Sequence, residues 1–470
     1  MLDVIILGAG VSGLRAAQVL QEQYGHSVAV LEARPTAGGR IRWTSFPSSE
    51  NDQESLYIDE GAQFIHGLSK RHPIHNIAKE AGVPFRAVDW DDGYVFVGPH
   101  GQELASAVER REEKAVEKIL TQVWHWQQTA SSDMSLHDVL APLVDRQCAR
   151  DSRLNAQRLW TNLQLQISDD YGNDLDKISA RYYNQDSALS ETDAQPKTFQ
   201  KVVEAMLPQD EATIRYQHVV ENVCILNPDL VKVTCRHAVT NERIELQARR
   251  VICTLPFGVL RQKADTLFSP PLPAPFQTSL QRIGYGCLEK VWLQFNCDEP
   301  FWPRDADVFY HMASATPFRM WFLPERVYLH PSSRDIQVQE ALAYSKTLCC
   351  FVSGDAARML GHLSPREVAA QALAALKQIL PVPELEDNDI ITNVHVTRWS
   401  QDPWSGNGSY SHMTVGTTPD DFRVWESGAH DNVLWFAGEA TSVQYLGTVH
   451  GAYWSGERAA IACHKSLVSE

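Results

Sequence analysis

Val4-Ile5-Ile6-Leu7 is a short apolar run that stops at Gly8, the pattern of a strand buried on both faces. The spacing predicts a helix over Val11–Gln23, and a second apolar run, Val28-Ala29-Val30-Leu31, ends at the acid Glu32. Further along, Ala105–Trp126 reads as an amphipathic helix, with Val108, Ala115, Val116, Ile119, Leu120 and Val123 near helical spacing and charges elsewhere. Ser364-Pro365-Arg366-Glu367 is a capping box with proline at the first helical position, and that helix should stop by Pro381. Arg250-Val251-Ile252-Cys253-Thr254-Leu255 and Val291-Trp292-Leu293-Gln294-Phe295 read as strands. A last helix begins near Thr448, with Val449, Ala452, Tyr453, Gly456, Ala459, Ala460 and Cys463 on one stripe, small enough for close packing. The polar stretches Ser48–Ser55 and Asp186–Lys197 read as exposed loops. No internal repeat is visible, and no apolar run approaches the ~18 residues of a membrane helix.

Composition narrows the function classes. A chain of 470 residues has room for about two to three domains with ample core. Its 42 basic against 58 acidic residues give a formal charge of −16, which argues against general nucleic-acid binding, where Lys and Arg neutralise phosphates. It suits a cationic substrate, or solubility alone. Nine cysteines, odd in number and without a C-x-x-C pair, favour a reducing compartment over a disulfide framework. Met1–Leu7 lacks the basic region of a signal peptide and Val468-Ser469-Glu470 is no peroxisomal address, so cytoplasm is the default expectation.

Gly8-Ala9-Gly10-Val11-Ser12-Gly13 fits G-x-G-x-x-G. Gly8 permits the tight turn, Gly10 lets backbone approach a pyrophosphate, and Gly13 lets the helix pack close to the strand. The phosphates would lie at that helix's N-terminus, and Glu32 is placed to accept hydrogen bonds from a ribose. The strand, turn, helix, strand and acid together point to dinucleotide binding. Glu32-Ala33-Arg34 then runs into a second glycine turn, Gly38-Gly39-Arg40, which looks like the flavoprotein continuation.

Asp59-Glu60-Gly61-Ala62-Gln63-Phe64-Ile65-His66-Gly67 and, near the other end, Phe436-Ala437-Gly438-Glu439-Ala440-Thr441-Ser442 and Gly447-Thr448-Val449-His450-Gly451 resemble the flavin amine oxidases. Thr254–Leu260, Gly284–Val291 and Thr397–Ser411 follow in that family's order, and the chain is most similar to its polyamine oxidase and lysine-specific histone demethylase branch. The resemblance implies an α/β fold: a Rossmann-like FAD-binding domain from residues 1–85, 200–265 and 395–470, interleaved with an α+β substrate-binding domain from 86–199 and 266–394. It implies non-covalent FAD, because Ser409 stands where animal monoamine oxidases carry the cysteine that bonds the flavin.

By the same resemblance, Lys290 assists flavin reoxidation by O2, His66 orients the amine, Tyr410 is one wall of an aromatic cage, and Thr448 stands where some members place a second aromatic. Gly61, Ala62, Gln63 and Phe64 line the flavin, Trp399 and Trp404 lie along it, Glu439 beside Gly438 meets its ribityl and pyrophosphate, and Val220 pairs with adenine from a strand Ile214–Val223. The N-terminus of the last helix, at Thr448 and Val449, would face the pyrimidine end, where its dipole favours negative charge. A cationic polyamine would be drawn by some of Asp169, Asp170, Asp174, Asp186 and Glu191, although such a cluster is also what a solvated loop looks like. The segment Trp404–Tyr410 has one residue more than the family pattern, which bears on the cage geometry. The leading expectation is oxidation of a polyamine or acetylated polyamine by hydride transfer to flavin N5, with imine hydrolysis and O2 reduced to hydrogen peroxide. Oxidation of another secondary amine or an amino-acid-derived metabolite is the alternative, and a demethylase-like role the third.

Overall fold

The computed structural model describes residues 1–46, 56–88, 90, 93–185, 189–190, 192–324, 344–383 and 387–469. The opening apolar run forms Leu2–Leu7, inside an eight-stranded sheet. Val4 to Leu7 are fully buried, as parallel neighbours on both sides require: Val28–Leu31 on one and Arg243–Cys253 on the other. Arg243–Cys253 is shared. Its first half pairs antiparallel with Leu230–His237, and from Ala248 onward it runs parallel to Leu2–Leu7 and Leu434–Phe436. One long strand therefore joins an antiparallel ribbon to the parallel centre, and segments far apart in sequence complete one sheet.

A second sheet has six strands in the order Ile391–Val396, Leu288–Phe295, Thr347–Ser353, Met320–Phe322, Val308–His311, Tyr94–Val97. Leu288–Phe295 has partners on both sides. The helix Pro365–Ile379 starts with the capping box expected at Ser364 and Glu367 and packs Val368, Ala372, Leu373 and Leu376 into the core under this sheet. Three helices, Ser106–Thr129, Leu136–Arg150 and Ala156–Leu163, share a separate core that includes Val116, Ile119, Val123, Leu140 and Leu159. Among the described residues no helix is long and apolar enough to cross a membrane.

Three expectations need correction. The first helix is α-helical only over Val11–Gln18 and widens to i→i+5 bonding over Val19–Gln23. The strand expected over Ile214–Val223 is two strands, Ile214–Arg215 and His218–Asn227, because Gln217 adopts φ 59° and turns the chain from the edge of Val28–Leu31 onto the ribbon. Within Asp186–Lys197, Asp193–Pro196 is not an exposed loop but a strand paired with Phe85–Val88. Its acid is tolerated because Asp193 accepts the Gly67 N–H and meets His66, and Ala194 exchanges main-chain hydrogen bonds with Ile65. Asp186, Glu191 and the stretch Ser48–Ser55 lie outside the described residues.

The last helix, Val449–Val468, is capped by the Thr448 hydroxyl, which accepts the Gly451 N–H at 3.0 Å and donates to the Tyr445 carbonyl at 2.8 Å. It crosses the first helix at Gly456, where a Cβ would stand 2.2 Å from the Ser12 carbonyl oxygen. The two ends thus meet twice, Leu434–Phe436 in the same sheet as Leu2–Leu7 and the last helix against the first.

Candidate active site

The glycine turns explain the local geometry. Gly8 has φ +102°, and a Cβ at Gly13 would stand 2.0 Å from the Gly8 carbonyl oxygen, so both positions are closed to other residues. Gly10 differs: a Cβ there would meet no atom within 4 Å, and the same holds at Gly438. Both glycines border open space beside the N-terminus of the first helix and the turn before the last. The Gly38 N–H donates to the Ala9 carbonyl at 2.9 Å, and Gly38 bridges to Gly10, stacking the second glycine turn on the first. Glu32 closes one end: its Oε atoms accept the Ala9 N–H at 2.8 Å and the Arg34 N–H at 2.9 Å, while burial pushes its pKa up. Arg40 donates to the Ser409 carbonyl at 2.8 Å and to Glu439 at 2.9 Å. Glu439 also accepts from the Ser411 hydroxyl at 3.1 Å and the Gly447 N–H at 3.1 Å. Arg40, Ser409, Tyr410, Glu439 and Gly447 are thereby tied together. Open space beside Gly10 and Gly438, with a helix N-terminus for phosphates and Glu32 for a ribose, fits FAD.

Lys290 is not a surface lysine. It sits on a strand with neighbours on both sides, 2% exposed. Its ammonium donates to the Asp59 carbonyl at 3.0 Å, the Gly61 carbonyl at 2.7 Å and Gln63 Oε1 at 2.6 Å, which occupies all three of its donors. The antiparallel register puts Phe351 opposite, with the ammonium 5.0 Å from the ring centre. Gly61 and Gln63 thus hold Lys290, and Phe64 continues into an aromatic wall: Phe64–Phe322 5.6 Å, Phe64–Trp90 5.5 Å and Phe322–Phe351 4.5 Å between ring centres. Ala62 lies on the same turn, its N–H reaching the Arg40 carbonyl.

At the far end of this wall, the exposed His66 has its Nδ1 2.8 Å from Asp193 Oδ2. Burial alone would raise the Asp193 pKa, but His66 and the Gly67 N–H outweigh it and hold the carboxyl below its usual range. Tyr410 donates to the Asp169 main-chain carbonyl at 3.3 Å and packs between Gly172 and Gly447; burial keeps its phenol neutral. Beside it, Ser409 accepts the Leu288 N–H at 2.9 Å, two residues before Lys290. Before Tyr410, Gly406 and Asn407 both have positive φ, in a turn that docks on Gly258. Trp399 is buried and donates to the Glu60 carbonyl at 3.0 Å, beneath Arg42, whereas Trp404 is 37% exposed. Val220 pairs with Cys235, close after His218, whose N–H reaches the Glu32 carbonyl.

The acids divide. Asp169 is buried against Arg319, with contacts of 2.6 and 2.9 Å, and Ser353, so its charge is already matched. Asp174 caps Asp355 and lies 3.6 Å from Lys177. Asp170 is exposed and acts electrostatically on Tyr410 and Tyr310. The sequence reading missed Phe322, Phe351, Trp90 and Asp193, which carry no motif, and Glu289, fully buried and accepting from the Thr397 hydroxyl at 2.6 Å and the N–H groups of Trp399 and Ser400. The Glu-Lys pair in an apolar strand was the available signal.

Comparison with known proteins places the whole chain. Residues 11–464 match the family described as flavin containing amine oxidoreductase. Lysine-specific histone demethylase 1 homolog 3 of Oryza sativa subsp. japonica is 28% identical over 97% of this chain and 53% of its own, so the chain spans about half the length of such relatives. The peroxisomal N(1)-acetyl-spermine/spermidine oxidase of Homo sapiens is 27% identical over 97% of this chain and 94% of its own. A putrescine oxidase solved with putrescine bound superposes with a TM-score of 0.72 at 18% identity, covering 100% and 99% of the two chains, which shows the shared fold. With the glycine cradle, the buried lysine and a family match over nearly every residue, the chain belongs to the flavin-containing amine oxidoreductases, and its cofactor is FAD.

Proposed function

We propose that this enzyme oxidises a cationic amine of the polyamine class, free or acetylated, at a carbon beside nitrogen, with O2 as acceptor and hydrogen peroxide as product. The observation that carries this reading is the buried ammonium of Lys290, held by carbonyl oxygens where the cofactor cradle meets an aromatic wall. When bound, FAD accepts the hydride equivalent leaving the substrate carbon. The protein supplies position, dryness and charge. Gly10, Glu32, Arg40 and Glu439 would hold the cofactor. Tyr410 and the rings of Phe64, Phe322 and Phe351 offer π-faces that attract an ammonium and accommodate an alkyl body. Because the Asp193 carboxylate can only accept, the proton on neutral His66 sits at Nδ1, and that hydrogen bond fixes the orientation of the imidazole at the end of the aromatic wall. Ser409 supports a flavin held without a covalent bond.

A second reading, oxidation of a secondary amine with less remote charge, is favoured by the pairing of Asp169 with Arg319, which removes one acid that a long polycation would seek. One panel separates the readings. The purified yellow protein should release its flavin on acid precipitation and yield peroxide with spermine, spermidine or their acetyl forms. Peroxide only with N-methylated amino acids or aromatic amines would move the assignment to the second reading. Peroxide only with a methylated histone-tail peptide would move it to demethylation, and none with any amine would overturn it.

A further inference from the structure

Asp59 is a buried acid that the proposed reaction does not use. It ends the strand Leu56–Asp59 with its side chain enclosed, and its carboxyl is poorly served. Oδ1 accepts the Phe199 N–H at 3.3 Å, the Thr198 hydroxyl adds a second bond, and Oδ2 has no hydrogen-bond partner among the described residues. Lys290 lies beside it, yet gives its three N–H groups to the main-chain carbonyls of Asp59 and Gly61 and to Gln63. The opposite charge is near but is not hydrogen-bonded to the carboxyl. An ionised carboxylate here loses water on every side and regains little.

Among the acids and thiols around Lys290, Asp59 is the one that burial leaves able to hold a proton, while the same burial lowers Lys290 itself. Glu60, facing Lys290 from the same turn, would be raised by burial, but His395 and Arg42 bring it down to about 2, so its charge is constant. Cys349, facing Lys290 from Thr347–Ser353, is pushed up to about 12 by burial and stays neutral. Phe351, Thr198 and the Phe199 backbone carry no charge. Burial drives Asp59 up against the pull of Lys290, and drives Lys290 down against Cys349, Asp59 and Glu60.

We propose that Asp59 is the proton-holding partner of Lys290: protonated, it leaves the lysine's positive charge uncancelled at the active site, and on giving up its proton it cancels that charge. Asp59 is a positioning residue for charge, acting through Lys290, and its value to catalysis rests on the amine-oxidase reading above. A fixed cation near a centre that accumulates negative charge favours that charge, most of all in a dry site.

Infrared difference spectra of the FAD-bound protein between mildly acidic and mildly alkaline pH test this. A carboxylic-acid carbonyl band should vanish as pH rises, be missing in Asp59→Asn, and persist about one pH unit or more higher in Lys290→Met, where the charge favouring the carboxylate is gone. No such band, a band undiminished in Asp59→Asn, or a midpoint unmoved in Lys290→Met would overturn the proposal. If Asp59→Asn fails to fold, the shift in Lys290→Met decides alone. The band needs no substrate, so amine turnover and Asp59 titration can fail independently.

Discussion

Single residues carry the chemistry, and they differ in how visible the sequence makes them. Lys290→Met should keep FAD bound yet slow reoxidation of reduced flavin by at least about tenfold, since one preorganised charge in a dry site is typically worth that much or more; stopped-flow mixing with oxygen checks it. Glu289→Gln should destabilise the fold by about 1–3 kcal/mol, because an amide NH2 would face N–H donors that now meet a carboxylate; thermal unfolding with bound FAD reads the loss. Gly8 and Gly13 are legible because a backbone requirement admits few residue types, and Gly10 and Glu32 through their spacing from them. Phe322 and Phe351 are not, since any large apolar residue reads alike until strand register brings two of them together. Asp193 was hidden by its polar neighbours, which resemble a loop until their hydrogen bonds are seen.

At the level of elements, the periodic helices and the two opening strands were readable, and the errors fall where local rules stop applying. The split at Gln217 is a turn without glycine or proline to announce it, and the short strand Asp193–Pro196 exists because Phe85–Val88 lies beside it. The last helix was legible through its small residues. Its crossing at Gly456 makes a sharp prediction: Gly456→Val puts a branched side chain where even a Cβ would overlap the Ser12 carbonyl. The first helix must then retreat, at a cost of about 1–3 kcal/mol for an overpacked contact. Because Gly10 and Ser12 lie on that helix and its leading turn, flavin retention after gel filtration should fall along with the unfolding temperature.

The whole molecule carries buried imidazoles whose charging opposes folding. Burial lowers His72 to about 4, His412 to about 3 and His450 to about 3, each below the 6.5 of an unfolded chain. The unfolded state therefore binds more protons, and stability falls as pH drops from 6.5 toward 4. Asp59, Glu32 and Glu109, raised by burial, act in the opposite sense, but burial lowers His26, His311 and His430 as well, and the imidazoles outweigh the carboxyls across that window. Urea midpoints should decline on acidification, and His412→Gln should remove one share of the slope. The two-sheet plan was reachable only through family resemblance, since no local pattern states that residues 2–7 and 434–436 flank the same long strand. That arrangement governs biosynthesis. A ribosome delivers the glycine turns long before Glu439 and the helix Val449–Val468, so for most of synthesis a nascent chain carries half a nucleotide socket. FAD capture must then wait for that helix, and a premature stop anywhere before it should yield a colourless product.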